Sequence, residues 1–378
     1  MVNIEERRAT RTARKQKRAC RHAGFPRPND VLTEVVLIMA VTLSDVATRA
    51  GVSLATASRV LNGSSRVVNE QLRARVMAAA AELRYVPNAH AQALVRDSTN
   101  IVGVIVHDVA DPYFAEISRG IQDAASQAER LVLVCNSYRE PQRELEYVRL
   151  LQMQRVEAII MTGSGLDDER YNCELASQLD AFTATGGRVA VIGRHQVHAR
   201  AVLPDNAGGS RAVAHALWQM GHRHFGVITG PAVLTSTRDR LEGFRQGLAE
   251  HGLSLAPDAI AEGHFTREGG ARAALALLEV HPDITAIFAL NDVMAIGVLG
   301  ALRAKGIAVP DRISVVGYDD IPIASDVFPA LTTVHVPMQA LGAQALRFAL
   351  SQDDEPGSII LPTEVVMRAS AAAPRAPE

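Results

Sequence analysis

Four polar side chains close together near the N-terminal end of the chain could bind a nucleic acid: Ser53, Thr56, Ser58 and Arg59. Short hydroxyl groups and backbone N–H groups suit DNA phosphates, whereas the planar guanidinium of arginine suits the O6 and N7 atoms of guanine. These residues therefore indicate DNA binding, provided that one structural element presents them on a common surface.

A second set of polar and aromatic residues is spread over the rest of the chain. Its members are Tyr113, Phe114, Arg194, Asp205, Ser236, Arg240, Phe265, Asn291 and Asp319. Aromatic rings can stack on a ligand ring, arginine donates paired hydrogen bonds, and carboxylates accept hydrogen bonds from hydroxyl groups. The mixture suits a small polyhydroxylated ligand. Singly each residue is weak evidence, since charged residues are ordinary in loops and Phe265 could belong to the core.

The segment 42–62, TLSDVATRAGVSLATASRVLN, must position the first set. Thr42 and Asp45 form a capping-box pattern at the start of a helix. Gly51 can adopt the positive φ that ends this helix, and Ser53 can cap a second one. Two short helices joined by such a turn form a helix-turn-helix motif, whose second helix can enter the major groove. On helical spacing alone, any small helical hairpin is the alternative.

A third helix is predicted over Asn69–Leu83, because its apolar residues recur at helical spacing. Pro87 breaks this helix and can open the short segment Ala89–Val95. Seven residues cannot hold a helix alone in water, so without DNA this segment should be an ordinary linker.

From Ile101 onwards the pattern alternates between apolar strands and amphipathic helices. The predicted strands are Ile101–Val106, Leu131–Val134, Ala158–Met161, Arg188–Ile192, Phe225–Thr229, Ala286–Leu290 and Ile313–Gly317, and the helices include Tyr113–Glu129, Arg139–Gln154, Gly208–Met220, Thr235–His251, Arg267–Val280 and Asp292–Lys305. Such alternation predicts parallel sheets covered on both faces, and about 270 residues are enough for two of them. Ligands bind beyond the carboxyl ends of strands in such sheets, which is where the second set lies.

Charge and cysteine usage limit the class of protein. The net charge of −2 conceals an asymmetry, because residues 1–100 hold 16 Lys and Arg against 8 Asp and Glu, whereas the remainder holds 23 against 33. A basic N-terminal part suggests a polyanionic partner, although a solvated charge run is the alternative. Cys20, Cys135 and Cys173 form neither a disulfide framework nor a zinc site, so a cytoplasmic location is expected. No apolar run reaches the length of a membrane span.

The sequence matches enzyme motifs only weakly. Residues 162–165, TGSG, do not form a G-x-S-x-G elbow, and no base is placed with them. His222 and His224 have a spacing that can bind a metal from a strand, but no third ligand is evident, and a solvated turn is expected there. We therefore expect no enzyme, no cofactor and no metal site.

The stretch RRATRTARKQKR at residues 7–18 is basic and poor in apolar side chains, so we expect it to be disordered, whereas residues 31–39 are apolar. Met39 is the expected natural start, with 1–38 as an upstream extension. A genuine basic arm that adds nonspecific phosphate contacts is the alternative.

The helix-turn-helix segment resembles the headpiece of the LacI/GalR family of bacterial regulators. The family pattern T-x-x-D-V-A-x-x-A-G-V-S-x-x-T-V-S-R-V-L-N is matched almost throughout, with Ala57 where valine is usual. The resemblance extends from Val41 to Arg368. It includes the strings GYDD (Gly317–Asp320), ND (Asn291–Asp292) and TRDRLEGF (Thr237–Phe244). Gly193 departs from the family, since many members have aspartate there.

The resemblance implies a fold class and a domain order. It implies a helix-turn-helix headpiece and an α/β core of two doubly wound parallel-sheet lobes of the periplasmic-binding-protein type, with chain crossings near Pro204, Thr333 and Gly357. The expected segments are a basic extension (1–40), the headpiece (41–86), a hinge helix or linker (87–99), the effector-binding and dimerisation core (100–370) and a tail (371–378).

The resemblance also implies roles for individual residues. Leu54, Ala55 and Arg59 are the expected base readers, and Leu94 is expected to enter the minor groove. The other expected DNA contacts are Thr42, Ser44, Ser53, Thr56, Ser58, Asn62, Asn88 and Ala91. Arg240, placed in a loop before the Leu241–His251 helix, matches the family's ligand-binding arginine. A surface ion pair of Arg240 with Asp239 or Glu242 is the alternative.

These expectations combine into a hypothesis of function. The chain would be a transcriptional regulator that binds operator DNA as a homodimer, since the tail after Arg368 has no tetramer-forming heptad repeat. It would repress carbohydrate uptake or catabolism genes and respond to a sugar-like effector between the lobes. A nucleobase-like corepressor is an alternative, and a solute-binding protein is a weaker one, because it would need an export signal and no helix-turn-helix.

Overall fold

A computed structural model describes residues 41–61, 68–86, 99–351 and 357–375. The chain divides into two compact units, a headpiece within residues 1–88 and a core within residues 89–378. None of the helices in the described ranges is long and apolar enough to cross a membrane.

The described part of the headpiece contains three helices, α1 (Leu43–Ala50), α2 (Leu54–Leu61) and α3 (Glu70–Glu82). Thr42 caps α1 in a complete capping box with Asp45, as predicted, and Gly51 ends it at φ 63°. The helices enclose a small core of buried side chains. They are Val46, Ala47, Ala50, Ala57, Val60, Val76, Ala79 and Ala80.

The elements of the core follow one another in strand–helix alternation. The strands are β1 (Ile101–Val106), β2 (Leu131–Asn136), β3 (Ala158–Thr162), β4 (Arg188–Ile192), β5 (Arg200–Pro204), β6 (Phe225–Thr229), β7 (Ile260–Glu262), β8 (Ala286–Ala289), β9 (Ser314–Val316), β10 (Thr333–His335), β11 (Ser358–Leu361) and β12 (Glu364–Val366). The helices are α4 (Pro112–Gln127), α5 (Pro141–Met153), α6 (Glu169–Ala184), α7 (Asn206–Gln219), α8 (Thr235–Ala249), α9 (Arg267–Val280), α10 (Asp292–Ala304) and α11 (Met338–Leu350).

These elements form two lobes, each built on a parallel sheet. The N-lobe sheet has the strand order β11-β5-β4-β3-β1-β2, and the C-lobe sheet has the order β7-β6-β8-β9. In the N-lobe, α4 and α11 pack together, as do α5 and α6, and in the C-lobe α7 packs on α8 and α9 on α10. Strands β1, β3, β4, β6 and β8 are buried almost throughout because helices cover both faces, which is the doubly wound arrangement that the sequence predicted. The edge strand β2 leaves Leu131 and Leu133 exposed.

Within the described residues of the core, the chain passes between the lobes three times. It leaves the N-lobe after β5 and returns between β10 and α11, close to the two predicted positions. The third predicted crossing, near Gly357, is wrong, because β11 directly after Gly357 still pairs with β5. The crossing lies between β11 and β12, since β12 pairs with β10. Beyond β12, residues 368–375 pack on the C-lobe, where Ala372 N donates to Ser314 Oγ at 3.0 Å.

Candidate functional site

The exposed face of α2 is the candidate DNA-reading surface. Leu54, Ala55 and Arg59 are exposed, whereas Ala57 and Val60 of the same helix are buried in the headpiece core. Leu54 leaves 53% of its surface exposed at the first position of the helix. A large apolar side chain held out from a helix N-terminus is available for contact with a partner, for example a thymine methyl group.

Five of the other predicted DNA contacts lie in α1 and α2 or cap these helices. Thr42, Ser44 and Ser53 are exposed, and Thr56 and Ser58 are half-buried. Ser53 Oγ accepts a hydrogen bond from Thr56 N at 3.1 Å, which caps α2. Four further predicted DNA contacts, Asn62, Asn88, Ala91 and Leu94, lie outside the described residues.

A cavity of about 250 Å³ lies between the two lobes of the core. All nine sequence-predicted ligand residues line it. They are Tyr113, Phe114, Arg194, Asp205, Ser236, Arg240, Phe265, Asn291 and Asp319. The cavity therefore brings together side chains that lie up to 206 positions apart in the sequence, between Tyr113 and Asp319.

Arg240 and Asp319 form a buried ion pair in the C-lobe wall of the cavity. Arg240 Nη2 donates to Asp319 Oδ1 at 2.8 Å, and each side chain is only 5–6% exposed. Arg240 also donates from Nε to Asn206 Oδ1 at 2.9 Å and from Nη1 to the carbonyl of Leu290 at 2.6 Å. Its guanidinium lies 3.9 Å from the centre of the Tyr318 ring. Three of its five N–H groups are thus used to fix it.

The position of Arg240 corrects two expectations. It lies within α8, in the second turn, and not in a loop before a helix that begins at Leu241. The alternative of a surface ion pair with Asp239 or Glu242 is also wrong, because Arg240 is 4% exposed and pairs with Asp319.

Asp319 occupies an unusual environment. Its backbone has φ 111°, a conformation that costs energy for any residue other than glycine. Burial raises the pKa of its carboxyl group to about 7, although the charge of Arg240 acts in the opposite direction. Burial also opposes the charge on Arg240, but the attraction of Asp319 raises the pKa of Arg240 overall. Strained, desolvated charged groups beside a cavity are typical of a binding site.

Two aromatic side chains of the N-lobe line the cavity. Tyr113 and Phe114 lie in the first turn of α4, which Asp111 caps by accepting from Tyr113 N at 3.0 Å. The Phe114 ring is 4% exposed and stands edge-to-face against Tyr113, 5.0 Å between ring centres, and against His107, 5.2 Å. These edge-on contacts orient the rings that line the cavity.

Helix capping and local packing fix three more of the predicted ligand residues, Asp205, Asn291 and Phe265. Asp205 Oδ1 accepts from Gly208 N at 2.8 Å, and Asn291 Oδ1 accepts from Met294 N at 2.9 Å, so each caps a helix that follows a strand. Phe265 has a left-handed backbone with φ 57°. Its ring lies over Gly230, where a Cβ atom would approach to 2.2 Å.

One rim of the cavity joins the lobes directly. Ser236 and Ser164 share a hydrogen bond between their hydroxyl groups, and Arg194 pairs with Asp239. Two main-chain hydrogen bonds lie along the same rim. Thr235 N donates to the Gly165 carbonyl at 3.0 Å, and Asp167 N donates to the Val233 carbonyl at 2.8 Å. The first turn of α8 is therefore attached to N-lobe loops.

Gly193, which departs from the family pattern, has a structural reason to lack a side chain. Its φ is 94°, and a Cβ atom there would lie 2.0 Å from the carbonyl oxygen of Gly163. An aspartate at position 193 would therefore require a different course of the two adjoining loops.

Several lining residues were missed by the sequence reasoning, among them His107, Arg139 and Asn206. His107 directly follows β1, and Asn206 follows Asp205 after β5. Their positions after strands were a usable signal. Arg139 lies 5.4 Å from the centre of the Phe265 ring, a contact between distant loops that local sequence does not indicate.

The predicted solvated turn at His222 is wrong for that residue. His222 is 1% exposed, and its Nδ1 and Nε2 atoms lie 2.9 Å from Thr285 Oγ1 and the Ala372 carbonyl. The Nε2 contact thus holds the last described residues on the C-lobe, while the Nδ1 contact fixes the ring beside Thr285. Within the part of the chain that the structure describes, no group of three or more His, Cys, Asp or Glu side chains could hold a metal ion.

Known proteins resemble this chain along both units. Residues 42–88 match the family described as bacterial regulatory proteins, lacI family, and residues 214–371 match the periplasmic binding protein-like domain. The transcriptional regulator GalS of Salmonella typhimurium (strain LT2) is 38% identical over 312 residues, which cover 82% of this chain and 89% of that protein.

The chain belongs to the LacI family.

Other relatives agree. The transcriptional repressor PurR of Vibrio cholerae is 32% identical to this LacI-family protein over 82% of this chain and 91% of its own length. The lac repressor dimer, solved with operator and the anti-inducer ONPF, superposes with a TM-score of 0.76 at 30% identity, over 88% of this chain and 99% of that one. The relatives are regulators rather than enzymes, and this protein is a helix-turn-helix transcriptional regulator with a periplasmic-binding-protein-like core.

Proposed function

We propose that this LacI-family protein represses genes of carbohydrate uptake or catabolism and leaves its operator when a small polyhydroxylated effector binds between the lobes. The observation that supports this proposal most strongly is the buried Arg240–Asp319 pair in the cavity wall. Arginine can donate to a pair of vicinal hydroxyl groups, and a carboxylate can accept from them. The aromatic rings of Phe114 and Phe265 offer apolar faces for a sugar ring.

The DNA-binding half of the proposal rests on α2. A homodimer would place its two copies of α2 in successive major grooves of a near-palindromic operator, with half-sites about one helical turn apart. The operator complex of the lac repressor dimer supports this arrangement. Leu94, outside the described residues, remains the predicted minor-groove wedge. Binding to operator DNA supports a cytoplasmic site of action.

The proposed control is a population shift between two lobe arrangements. An effector that touches both walls of the cavity binds one arrangement more tightly and so increases its population. A change of lobe angle at the dimer interface would alter the distance between the two headpieces and thereby disfavour the operator complex.

A corepressor is the second candidate. The repressor PurR is among the relatives, and Phe265 and Phe114 would stack on a nucleobase as well as on a sugar. With such a ligand the sign would reverse, because the ligand would favour the arrangement that binds DNA.

A paired binding experiment tests these candidates. Thermal unfolding of the full-length protein is measured with neutral sugars, sugar acids and nucleobases, and each stabilising compound is then added to an operator titration. A ligand at a hundred times its dissociation constant adds about 2.7 kcal/mol to the unfolding free energy. A sugar that stabilises the protein and weakens operator binding supports the proposal, and a nucleobase that strengthens operator binding supports the second candidate. If no compound does either, both are contradicted.

A further inference from the structure

A buried polar network lies behind the N-lobe wall of the cavity. His107 Nδ1 lies 3.3 Å from Ser137 Oγ and 3.4 Å from Glu144 Oε1. Ser137 Oγ donates to Glu144 Oε1 at 2.9 Å, and Tyr171 donates its hydroxyl to the other carboxylate oxygen. Although burial would raise it, the pKa of Glu144 lies below its usual value because His107, Tyr171 and Ser137 surround the carboxylate. Glu144 is therefore an ionised acceptor.

This network fixes the tautomer of His107. Both atoms that face Nδ1 act as acceptors toward it, since Ser137 has given its own proton to Glu144. When the imidazole is neutral, its proton therefore sits on Nδ1, and Nε2 has a lone pair that accepts a hydrogen bond.

The Nε2 atom of His107 is buried beside the cavity without a hydrogen-bond partner among the described residues. His107 is 5% exposed, and its ring is held edge-on by Phe114. On the cavity side stands Gly163, where a Cβ atom would lie 2.6 Å from Nε2. Because Gly163 has no side chain, it leaves open the space next to the lone pair. A buried acceptor without a donor costs free energy, so this position favours a ligand that supplies one.

We propose that His107 is a specificity-determining residue of the effector site and that its Nε2 accepts a hydrogen bond from a hydroxyl group of the bound sugar. Ser137 and Glu144 are positioning residues, because they hold the proton on Nδ1. The inference rests on the proposed function, since it requires a hydroxyl-bearing effector in the interlobe cavity. It adds a requirement for a hydrogen-bond donor at the N-lobe end, which an analogue lacking that hydroxyl would not meet.

Two substitutions of His107 test the roles of its two ring nitrogens separately. The amide of His107→Asn reaches only the position of Nδ1, whereas the amide oxygen of His107→Gln reaches the position of Nε2. D-galactose, D-glucose, D-ribose and cellobiose are titrated calorimetrically into the full-length wild-type protein and both variants. For the sugar that binds the wild type most tightly, we expect about tenfold or greater loss of affinity in His107→Asn and recovery to within about threefold in His107→Gln.

A matched control is His222→Asn, which alters another buried histidine that does not line the cavity. Its sugar affinity should equal that of the wild type, even if its thermal stability falls as much as that of His107→Asn. If His107→Asn binds the sugar as tightly as this control, the assignment of His107 is overturned while the proposed function stands. If the wild type binds none of the four sugars, the proposed function and this inference fail together.

The tautomer is measured separately on the unliganded protein by ¹⁵N-edited NMR of the histidine rings. The expected spectrum for His107 shows a proton on Nδ1 and a bare Nε2, and Glu144→Gln should weaken this preference. A proton on Nε2 in the wild type would contradict the acceptor role, whatever the sugar titrations show.

Discussion

The headpiece and the core present their functional groups in opposite ways. In the headpiece, alanines and valines make up the buried cluster, and the candidate reading residues Leu54, Ala55 and Arg59 are exposed. In the core, Arg240 and Asp319 are each 4% exposed and are already bonded to the protein. Side chains that contact DNA can stay exposed to solvent in the free protein, because the DNA supplies their binding partners. Side chains that bind a small ligand give high affinity only if the protein already holds them in the right orientation. The following experiments test this contrast in order of expected effect.

Arg240→Ala should have the largest effect. Removing the guanidinium deletes the donors to the ligand and leaves Asp319 buried without its partner, so we expect at least a hundredfold loss of sugar affinity and an operator complex that no longer responds to sugar. The measurement is operator titration with and without the sugar that stabilises the wild type.

Arg245→Ala is the matched control, because Arg245 lies on the same helix, is exposed, and does not line the cavity. It should respond to sugar like the wild type. A normal response of Arg240→Ala, at the normal sugar concentration, would refute the role of the buried pair.

Arg59→Ala should change DNA binding and leave sugar binding unaffected. Loss of a base contact costs roughly 1–3 kcal/mol and should relax the preference at one base pair of each half-site. Arg49→Ala is the control, since it removes the same charge from an exposed residue of α1 that pairs with Glu82. The assignment of Arg59 is wrong if the ratio of operator to random-DNA affinity is the same in both variants.

The pH dependence of sugar binding should report on Asp319. A hydroxyl group donates to the ionised carboxylate, so with a pKa of about 7 the affinity should fall about tenfold from pH 8 to pH 6. The unliganded fold should show the opposite trend: its free carboxyl binds the proton more tightly than the unfolded chain does, so its stability falls as the pH rises toward 7. Calorimetric titrations at both pH values check the first trend, and a flat profile would count against Asp319 as an acceptor.

Deleting residues 1–38 should have the smallest effect. Their nine Lys and Arg residues can add nonspecific phosphate contacts but offer no reading geometry, so operator preference should persist, with at most a shallower salt dependence. Fluorescence anisotropy at several salt concentrations measures both. If specificity disappears, these residues form a functional arm and the Met39 start is refuted.

Much of this arrangement could be predicted because its signals are local. The capping box of Thr42 and Asp45 and the turn at Gly51 depend on neighbouring residues, and both are present in the structure. The rule that ligands lie beyond the carboxyl ends of strands placed the nine candidates correctly around one cavity, because it depends on the order of elements rather than on contacts.

The misses share a different physical origin. The partner of Arg240 is 79 positions away, so only folding shows that Asp319, and not its neighbour Asp239, neutralises it. The three-residue strands β10 and β12 are too short to have a recognisable period, which is why the third crossing was misplaced. The open nitrogen of His107 depends on Gly163, a residue on another strand end.

The attachment of the first turn of α8 to the N-lobe loops has a mechanical consequence. Main-chain hydrogen bonds at Gly165 and Thr235 resist separation along that rim, and the three chain crossings also join the lobes, so a lobe movement that preserves both connections is a limited change of angle. That angle then depends on how far a ligand holds the two walls of the cavity apart. The core would thus convert the size and shape of an effector into an angle, and two sugars with equal affinity could differ as inducers.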